Sequence, residues 1–349
     1  MKKENLPGWV AMAALAWFAM IVSDLAGRPL MAALNARKNP IETMVVAIII
    51  GVALRNLKLI PKFFDAGIKA YEKPLTWGIV LYGAGLNFAK LANQAPKIFV
   101  TVITTMAIGF FAIYFIGRAF KLPEKLSMLL GVGTTICGGS AIAITAPLIE
   151  AEERDTSYAV TTIALWGLLA IIVYPLAAAG ITGVTDAGFG VFAGTAIHAT
   201  PQVIAAGFIY SEAAGKMATA VKLVRNCFMV PLGMAIAIWY TRKRSMDSAK
   251  EGKKLNWIKA FPWFLFGYFL MAILGTKGFF TEAGIAGFET WGKFLLLMGM
   301  AGIGMNTQLD SFKGTGIKAL IVGLIGSITV AAVSLGLIWW LELSAMPAV

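Results

Sequence analysis

Long apolar runs, separated by short clusters of charged residues, restrict the fold of this chain more than any other feature. When runs of about 17–25 residues are read as membrane helices, the sequence predicts eleven spans. Hydrophobic residues make up 58% of the chain and charged residues 14%, whereas soluble domains carry roughly 25% charged residues. We therefore expect an all-α, polytopic membrane protein with about 11 transmembrane helices. The predicted spans are 9–26, 42–58, 75–92, 97–117, 126–149, 157–180, 188–209, 217–240, 259–275, 291–309 and 316–341.

Lysines and arginines are concentrated in alternate loops, which indicates how the chain is oriented. The second, fourth and eighth loops contain the basic clusters at 55–73, 118–125 and 242–259, whereas the acidic stretch 150–155 falls on the opposite face. Cytoplasmic loops of membrane proteins are enriched in Lys and Arg. We therefore expect a cytoplasmic N-terminus and a C-terminus outside. The net charge of +12 follows from the same bias and does not predict a nucleic-acid partner.

Several kinds of chemistry have little basis in this sequence. The two cysteines, Cys137 and Cys227, both lie in apolar runs, which argues against a disulfide or a metal site. No predicted span has the central carboxylate that cation/proton antiporters ordinarily need. Neither a Walker motif nor a nucleophile–base pair is visible. We expect no enzyme activity and no cofactor, and Na⁺ and H⁺ both stay open as coupling ions.

Residues 133–140, with the sequence Gly-Thr-Thr-Ile-Cys-Gly-Gly-Ser, interrupt the fifth apolar run. Glycine costs about 0.8–1 kcal/mol relative to alanine inside a helix, and short hydroxyl side chains compete for backbone hydrogen bonds. A helix that restarts after such a break presents N–H groups that can bind an anion. The segment predicts a ligand site, and a tight helix crossing is the alternative. Its candidate ligand residues are Thr134, Thr135, Cys137, Gly138, Gly139 and Ser140.

The seventh run, 188–209, contains the only histidine of the chain and is either transmembrane or re-entrant. His198, Thr200 and Gln202 flank Pro201, which lacks a backbone donor. Such polar side chains are costly in a membrane unless they find partners or water. We expect a second break here, where these three side chains complete a ligand cage. For His198, a proton carrier and a satisfied core residue are the alternatives.

Lys222 and Arg225 lie one turn apart in the eighth run and share one face of the helix. Lys222 precedes Arg242 by 20 residues, which is about 30 Å of helix and predicts a position near the outer boundary. There the two side chains either snorkel toward headgroups or form an electropositive clamp for anion oxygens. The sequence leaves both interpretations open.

A weak internal symmetry relates the third and tenth spans. Both contain Gly-x-Gly-x-Asn, at 83–87 and 302–306, and a long apolar helix follows each motif. The two spans point in opposite directions, as an inverted repeat requires, although chance recurrence of glycine is the alternative. We treat 1–349 as one transporter domain with 9–180 and 188–341 as approximate inverted repeats. Candidates for ion coupling or for interhelical hydrogen bonds are Asn87, Asn306 and Asn226.

Several of these motifs, in this order, resemble those of the bacterial YeiH family of proposed sulfate exporters. They are Ile-Cys-Gly-Gly-Ser-Ala-Ile-Ala at 136–143, Ala-Pro at 146–147, Tyr-Pro at 174–175, Gly-Thr-Ala-Ile-His-Ala at 194–199, Gln-Val at 202–203, and Lys222-x-x-Arg225 before Pro231. The resemblance covers most of the chain and departs at Thr200-Pro201. It implies a ten-helix inverted-repeat carrier of the bacterial inner membrane, in which a core domain with crossed, broken helices moves against a panel domain. Carriers of this kind are often homodimers.

The function predicted from these residues is secondary active export of a small anion, such as sulfate or an organosulfonate, by alternating access. The two broken segments would hold the anion, and Lys222 and Arg225 would attract it. A sodium- or proton-coupled carrier of an organic carboxylate is one alternative, with Asn87 and Asn306 near the cation. An anion channel is an alternative of another class. The expected partners are the anion and the lipid bilayer.

Overall fold

The computed structural model describes residues 3–33, 43–181, 183–229, 231–233, 235–236, 239–240, 264–312 and 316–343, which are helical apart from turns and loops. The α-helices are α1 (Leu6–Ala33), α2 (Thr43–Asn56), α3 (Asp65–Lys69), α4 (Glu72–Tyr82), α5 (Phe88–Ala119), α6 (Glu124–Thr135), α7 (Gly139–Leu148), α8 (Glu153–Ala179), α9 (Asp186–Ala196), α10 (Thr200–Tyr210), α11 (Glu212–Cys227), α12 (Phe264–Thr276), α13 (Glu282–Asn306) and α14 (Ile317–Trp340). Short 3₁₀ helices cover Lys3–Asn5, Lys62–Phe64, Gly83–Gly85 and Leu309–Phe312.

The lengths and compositions of the helices identify a multi-pass membrane protein. Within the described residues, four helices are long and apolar enough to cross a membrane, namely α1, α5, α8 and α14, and several shorter helices are also apolar. A single span over 75–92 is wrong, because α4 ends at Tyr82 and α5 begins only at Phe88. The runs 126–149 and 188–209 are each divided into two helices, and the two ends of each run lie together. The Lys125 ammonium donates to the Glu150 carbonyl at 2.6 Å, and the Ser211 hydroxyl donates to Asp186 Oδ1 at 2.6 Å. The expectation that the acidic stretch 150–155 falls on the face opposite the basic cluster at 118–125 is therefore wrong, and the seventh run has the re-entrant arrangement. Eleven spans is therefore too high a number, because these two runs return to the end at which they begin. The basic cluster at 242–259 lies outside the described residues.

One compact unit comprises the described residues of Met1–Ala89 and Phe264–Lys313. Glycines allow its helices to approach closely: a Cβ on Gly51 of α2 would stand 2.8 Å from the backbone nitrogen of Met305 in α13. A Cβ on Gly78 of α4 would stand 2.9 Å from the carbonyl oxygen of Gly292. Side chains longer than hydrogen would force these helices apart, so the glycines set the packing of this unit.

The second unit comprises the described residues of Lys90–Trp263 and Gly314–Val349 and contains both divided runs. Here α11 packs against α9, where a Cβ on Gly194 would stand 2.6 Å from the Val221 Cβ. It also packs against α10, where a Cβ on Gly207 would stand 2.9 Å from the Gly215 Cα. This close packing brings Lys222 and Arg225 of α11 to the ends of the divided helices.

The two Gly-x-Gly-x-Asn motifs occupy equivalent places in the chain. The motif at 83–87 lies shortly before Ala89, where the chain passes from the first unit to the second. The motif at 302–306 lies shortly before Lys313, where the chain makes the same passage again. Each unit therefore contains segments from both halves of the sequence. The inverted repeat itself stays a prediction.

Candidate functional site at two helix breaks

The first break separates α6 from α7 and depends on Gly138. This residue has φ +73° and ψ −129°, a part of backbone space that is nearly restricted to glycine. A Cβ on Gly138 would stand 3.2 Å from the Ala199 Cβ, so the two breaks are in contact. A Cβ on Gly139, by contrast, would meet no atom of the described structure within 4 Å. Open space therefore adjoins the first residue of α7.

The second break separates α9 from α10, and its backbone is extended at Ile197 and Ala199. Pro201 lies in the first turn of α10, where the missing N–H costs no helical hydrogen bond. The Ala199 N–H donates to Gln202 Oε1 at 3.0 Å, which fixes the start of the helix. Proline at the Thr200-Pro201 departure is thus compatible with the start of α10.

Arg225 ties the two breaks together from α11, and its side chain is only 1% exposed. Its Nε donates to the Thr135 carbonyl at 2.6 Å, and Nη2 donates to the Thr134 carbonyl. Its Nη1 donates to three carbonyls at the end of α9: Gly194 at 3.2 Å, Thr195 at 2.8 Å and Ile197 at 2.9 Å. The guanidinium therefore caps the C-terminal ends of α6 and α9, where carbonyls lack helical donors and the helix dipole favours a cation.

Lys222 has the same function one turn earlier on α11 and is fully buried. Its ammonium donates to the carbonyls of Ile136 at 2.7 Å, Ile197 at 3.3 Å and His198. An ammonium has three N–H donors, so this side chain is saturated by the two breaks. Snorkelling of Lys222 and Arg225 is therefore wrong, since both are buried. A direct clamp on the anion is also not observed, because the protein backbone accepts their hydrogen bonds.

The two buried cations have no carboxylate partner within the described residues, where the ion pairs are Arg55–Asp65 and Lys216–Glu212. Two helix C-termini offset roughly half an elementary charge each. The three carbonyl acceptors of Lys222 Nζ fit an ammonium. With both side chains protonated, the site retains positive charge in an environment of low dielectric, which favours a negative ligand.

The N-terminal ends of α7 and α10 are adjacent, because Gly138 and Ala199, which precede them, are in contact. In the described structure, the N–H groups of Gly139 and Ser140 have no acceptor, and the Ser140 side chain is exposed. Thr200 begins α10 and is half-buried. Free N–H groups and a positive helix end are the elements from which proteins build anion sites.

Not every predicted cage residue is available to a ligand. The Thr135 hydroxyl donates to the Gly131 carbonyl at 2.7 Å. Both polar atoms of the Gln202 amide are hydrogen-bonded within the protein: Oε1 accepts from the Ala199 N–H, and Nε2 donates to the Ala164 carbonyl at 3.4 Å. Cys137 is buried, with its Sγ 3.4 Å from Met229 Sδ. The Thr134 hydroxyl, in contrast, is buried without a partner in the described structure.

His198 faces α14, an element that the sequence did not connect to the site. Its Nε2 lies 2.9 Å from Ser327 Oγ, and Ser327 donates to the Gly323 carbonyl at 2.8 Å. Because Ser327 gives its only hydroxyl hydrogen to the Gly323 carbonyl, the hydrogen bond between the two side chains is donated by His198 Nε2–H. The buried Nδ1 of His198 has no partner among the described residues. Seven residues further on, Ser334 Oγ lies 2.6 Å from Thr195 Oγ1. Two serines seven residues apart in an apolar helix are the signal by which sequence analysis could have found this contact.

The three asparagines belong to two different compact units. Asn226 belongs to the site: its Nδ2 donates to Thr200 Oγ1 at 3.1 Å, and its buried Oδ1 has no partner in the described structure. Asn87 and Asn306 belong to the other compact unit. Asn87 is half-buried in the connection between α4 and α5, and Asn306 is the exposed last residue of α13. Neither lies in the middle of a helix.

These observations define a multi-pass helical membrane protein in which two broken helices meet at a buried, positively charged site. The chain belongs to the UPF0324 membrane protein family: the family model described as "Conserved hypothetical protein 698" matches residues 7–323. A UPF0324 membrane protein of Bacillus cereus is 31% identical over 303 residues, which cover 86% of this chain and 87% of the relative. Another, from Streptococcus pneumoniae, is 32% identical over 307 residues, which cover 84% and 88%. The chain thus has bacterial relatives that match most of its length.

Proposed function

We propose that this protein is a secondary active transporter that exports a small oxyanion, such as sulfate or an organosulfonate, by alternating access. The contact between Gly138 and Ala199 carries the proposal, because it places the N-terminal ends of two half-helices at one point. Behind them, Lys222 and Arg225 hold the C-terminal ends of α6 and α9. In this arrangement the anion contacts main-chain N–H groups, and the two cations supply charge without touching it.

The balance of charge favours a divalent anion. Two buried cations contribute +2, the C-termini of α6 and α9 contribute about −1 together, and the N-termini of α7 and α10 contribute about +1. The sum of about +2 matches sulfate better than a monovalent ion. Sulfate is also the substrate proposed for the YeiH family, whose motifs at 136–143 and 194–199 coincide with the two breaks.

Flux in proteoliposomes tests this function. Wild-type protein is expected to give saturable sulfate flux with counterflow. Gly139→Val should abolish it, because the side chain fills the open space at the start of α7. Gly336→Val is the matched control, since a Cβ on that α14 glycine also meets no atom of the described structure within 4 Å. Equal flux in the two variants, or unchanged flux in Ser140→Ala and Arg225→Ala, would remove the breaks from the transport site.

A sodium-coupled carrier of an organic carboxylate is the second candidate function. The observation in its favour is a pair of buried oxygens, Thr134 Oγ1 and Asn226 Oδ1, that lack partners in the described structure. Oxygens of this kind are ligands for hard cations. Stabilisation of the purified protein by sodium together with a carboxylate, and not by sulfate, would favour this candidate. Flux without saturation or counterflow would instead identify an anion channel.

The inside position of the N-terminus, the location in the inner membrane and a homodimeric state stay predictions. Labelling of single cysteines introduced at Lys121 and Glu282, in a variant that lacks Cys137 and Cys227, would establish the topology. Positive-inside orientation places these two residues on opposite sides of the membrane.

A further inference from the structure

An apolar groove runs along the outer face of α5, in the unit that contains the two breaks. Its cavity of about 670 Å³ is lined on one side by α5 residues that recur every third or fourth position, from Ile103 to Phe115. Met128 of α6 and residues between Phe228 and Trp239 complete the described walls. Apart from the polar tips of Tyr114 and Trp239, these walls are hydrocarbon and aromatic rings. Apart from these two tips, the described walls offer no polar group with which to bind a hydrated ion.

The dimensions of the groove match one leaflet of a bilayer. Phe115 lies twelve positions beyond Ile103 on α5, which is about 18 Å of helix. One leaflet contributes about half of a hydrocarbon core of roughly 30 Å. An extended acyl chain that entered the groove would thus be covered by protein over the whole depth of a leaflet.

One end of the groove is basic and aromatic. Arg118 lies one turn beyond Phe115, and Lys121 follows in the connection to α6; both side chains are exposed. The Lys125 ammonium lies 5.6 Å from the centre of the Tyr240 ring, next to Trp239 of the groove wall. Aromatic rings beside cations are typical of the headgroup region of a membrane.

The cations at this end retain capacity for a phosphate. Arg118 donates from Nη1 to the Leu122 carbonyl at 2.6 Å, and Lys125 donates to the Glu150 carbonyl at 2.6 Å, so each keeps further N–H donors. The carboxylate of Glu124, which accepts from the Tyr114 hydroxyl at 3.2 Å, is the acidic side chain of this stretch. Three cations and one carboxylate in 118–125 leave a net charge of +2, and the Asp155 carboxylate, which interacts with Lys125, reduces it to about +1.

We propose that this groove is a binding site for an anionic phospholipid, with an acyl chain along α5 and the phosphate at Arg118, Lys121 and Lys125. The site is separate from the helix breaks and does not depend on the transported solute. Charge complementarity selects an anionic headgroup over a zwitterionic one, since basic residues attract anionic lipids at about 1 kcal/mol each.

Native mass spectrometry and thermal unfolding in neutral detergent test the site, with phosphatidylglycerol and phosphatidylcholine as the two probes. Wild-type protein should retain one phosphatidylglycerol per chain and gain thermal stability from it, but not from phosphatidylcholine. Arg118→Gln with Lys121→Gln should weaken phosphatidylglycerol binding about 30-fold, from two lost charges. Lys318→Gln, at an exposed cation on α14, is the matched control and should bind normally.

A groove-filling variant separates the acyl-chain site from charge alone. Ala107 lines the groove and is exposed, so Ala107→Phe should fold normally while excluding the chain and the lipid. Equal binding of both lipids by wild type, an equal loss in Lys318→Gln, or full binding by Ala107→Phe would overturn the proposal. If Ala107→Phe changes the oligomeric mass in lipid-free detergent, the groove is an interface with a second copy of the chain, and this outcome would also overturn the proposal.

Discussion

Gly138 and Ala199, which are 61 residues apart in the sequence, touch at the point where two helices are broken: a Cβ on Gly138 would stand 3.2 Å from the Ala199 Cβ. The contact closes the first break on one side, while Gly139 next to it adjoins open space. The positive φ of Gly138 directs the chain into α7. This contact therefore brings the N-terminal ends of α7 and α10 together.

Adjacent glycines should respond differently to alanine. Gly138→Ala places a Cβ in a nearly glycine-only region of backbone space and should cost about 1–3 kcal/mol of stability. Gly139→Ala meets no neighbour in the described structure and should change stability by less than about 0.5 kcal/mol. Thermal unfolding of the two variants in detergent measures the difference, and equal midpoints would contradict the described geometry of the break.

Substitution of Arg225 should destabilise the protein, whether it removes the charge or only the forked arrangement of N–H donors. Its side chain donates to five carbonyls, and each buried carbonyl left unpaired costs about 1–3 kcal/mol. Arg225→Met should unfold the site, and Arg225→Lys should be intermediate, because an ammonium can serve only three acceptors.

The matched control for Arg225 is Arg154→Gln, at an exposed arginine near the start of α8. It should change stability by less than about 0.5 kcal/mol. Unfolding midpoints of Arg225→Lys and wild type that coincide would show that the carbonyl contacts contribute little.

Gly167 should be irreplaceable as long as Gln202 caps α10. A Cβ on Gly167 of α8 would stand 1.9 Å from Gln202 Oε1, so Gly167→Ala must displace the amide that holds the Ala199 N–H. Overpacking of this kind costs about 1–3 kcal/mol. In the double variant Gly167→Ala/Gln202→Ala the clash is absent, and the cost should fall below the sum of the single variants. Additive costs in this double-mutant cycle would argue against the contact.

Ser327 should stabilise the second break through His198. Ser327→Ala leaves the buried imidazole Nε2–H without its acceptor, which should cost about 1–3 kcal/mol. Ser157→Ala is the control, because Ser157 is exposed on α8 and should lose almost nothing. If both serine variants unfold at the wild-type temperature, His198 is not held by α14 in the way described.

The local chemistry of the two breaks could be read directly from the sequence. The glycines and hydroxyls at 133–140 weaken a helix by intrinsic propensity, and Pro201 marks the first turn of a new one. These effects act within a few residues, and both breaks occur where they predict. The connection between α4 and α5 was missed, because the motif at 83–87 was interpreted as part of one continuous span and not as a helix end.

The environment of Lys222 and Arg225 could not be predicted in the same way. Helical spacing showed that they share a face, but a charged pair near the end of an apolar run has the same pattern whether it snorkels or is buried. The partners turned out to be backbone carbonyls, which have no signature in the sequence. Ser327 and Ser334 were missed for a related reason, since small polar residues are common in membrane helices.

The amino-acid sequence by itself determined that this is a helical, multi-pass membrane chain, and it determined where two of the helices are interrupted. Hydrophobicity and backbone propensity are properties of short segments, so they need no knowledge of distant neighbours. Only the tertiary structure decided that the interruptions meet and that Lys222 and Arg225 cap them from α11. That outcome depends on close packing at glycines such as Gly194 and Gly207, and packing is a property of the whole assembled bundle.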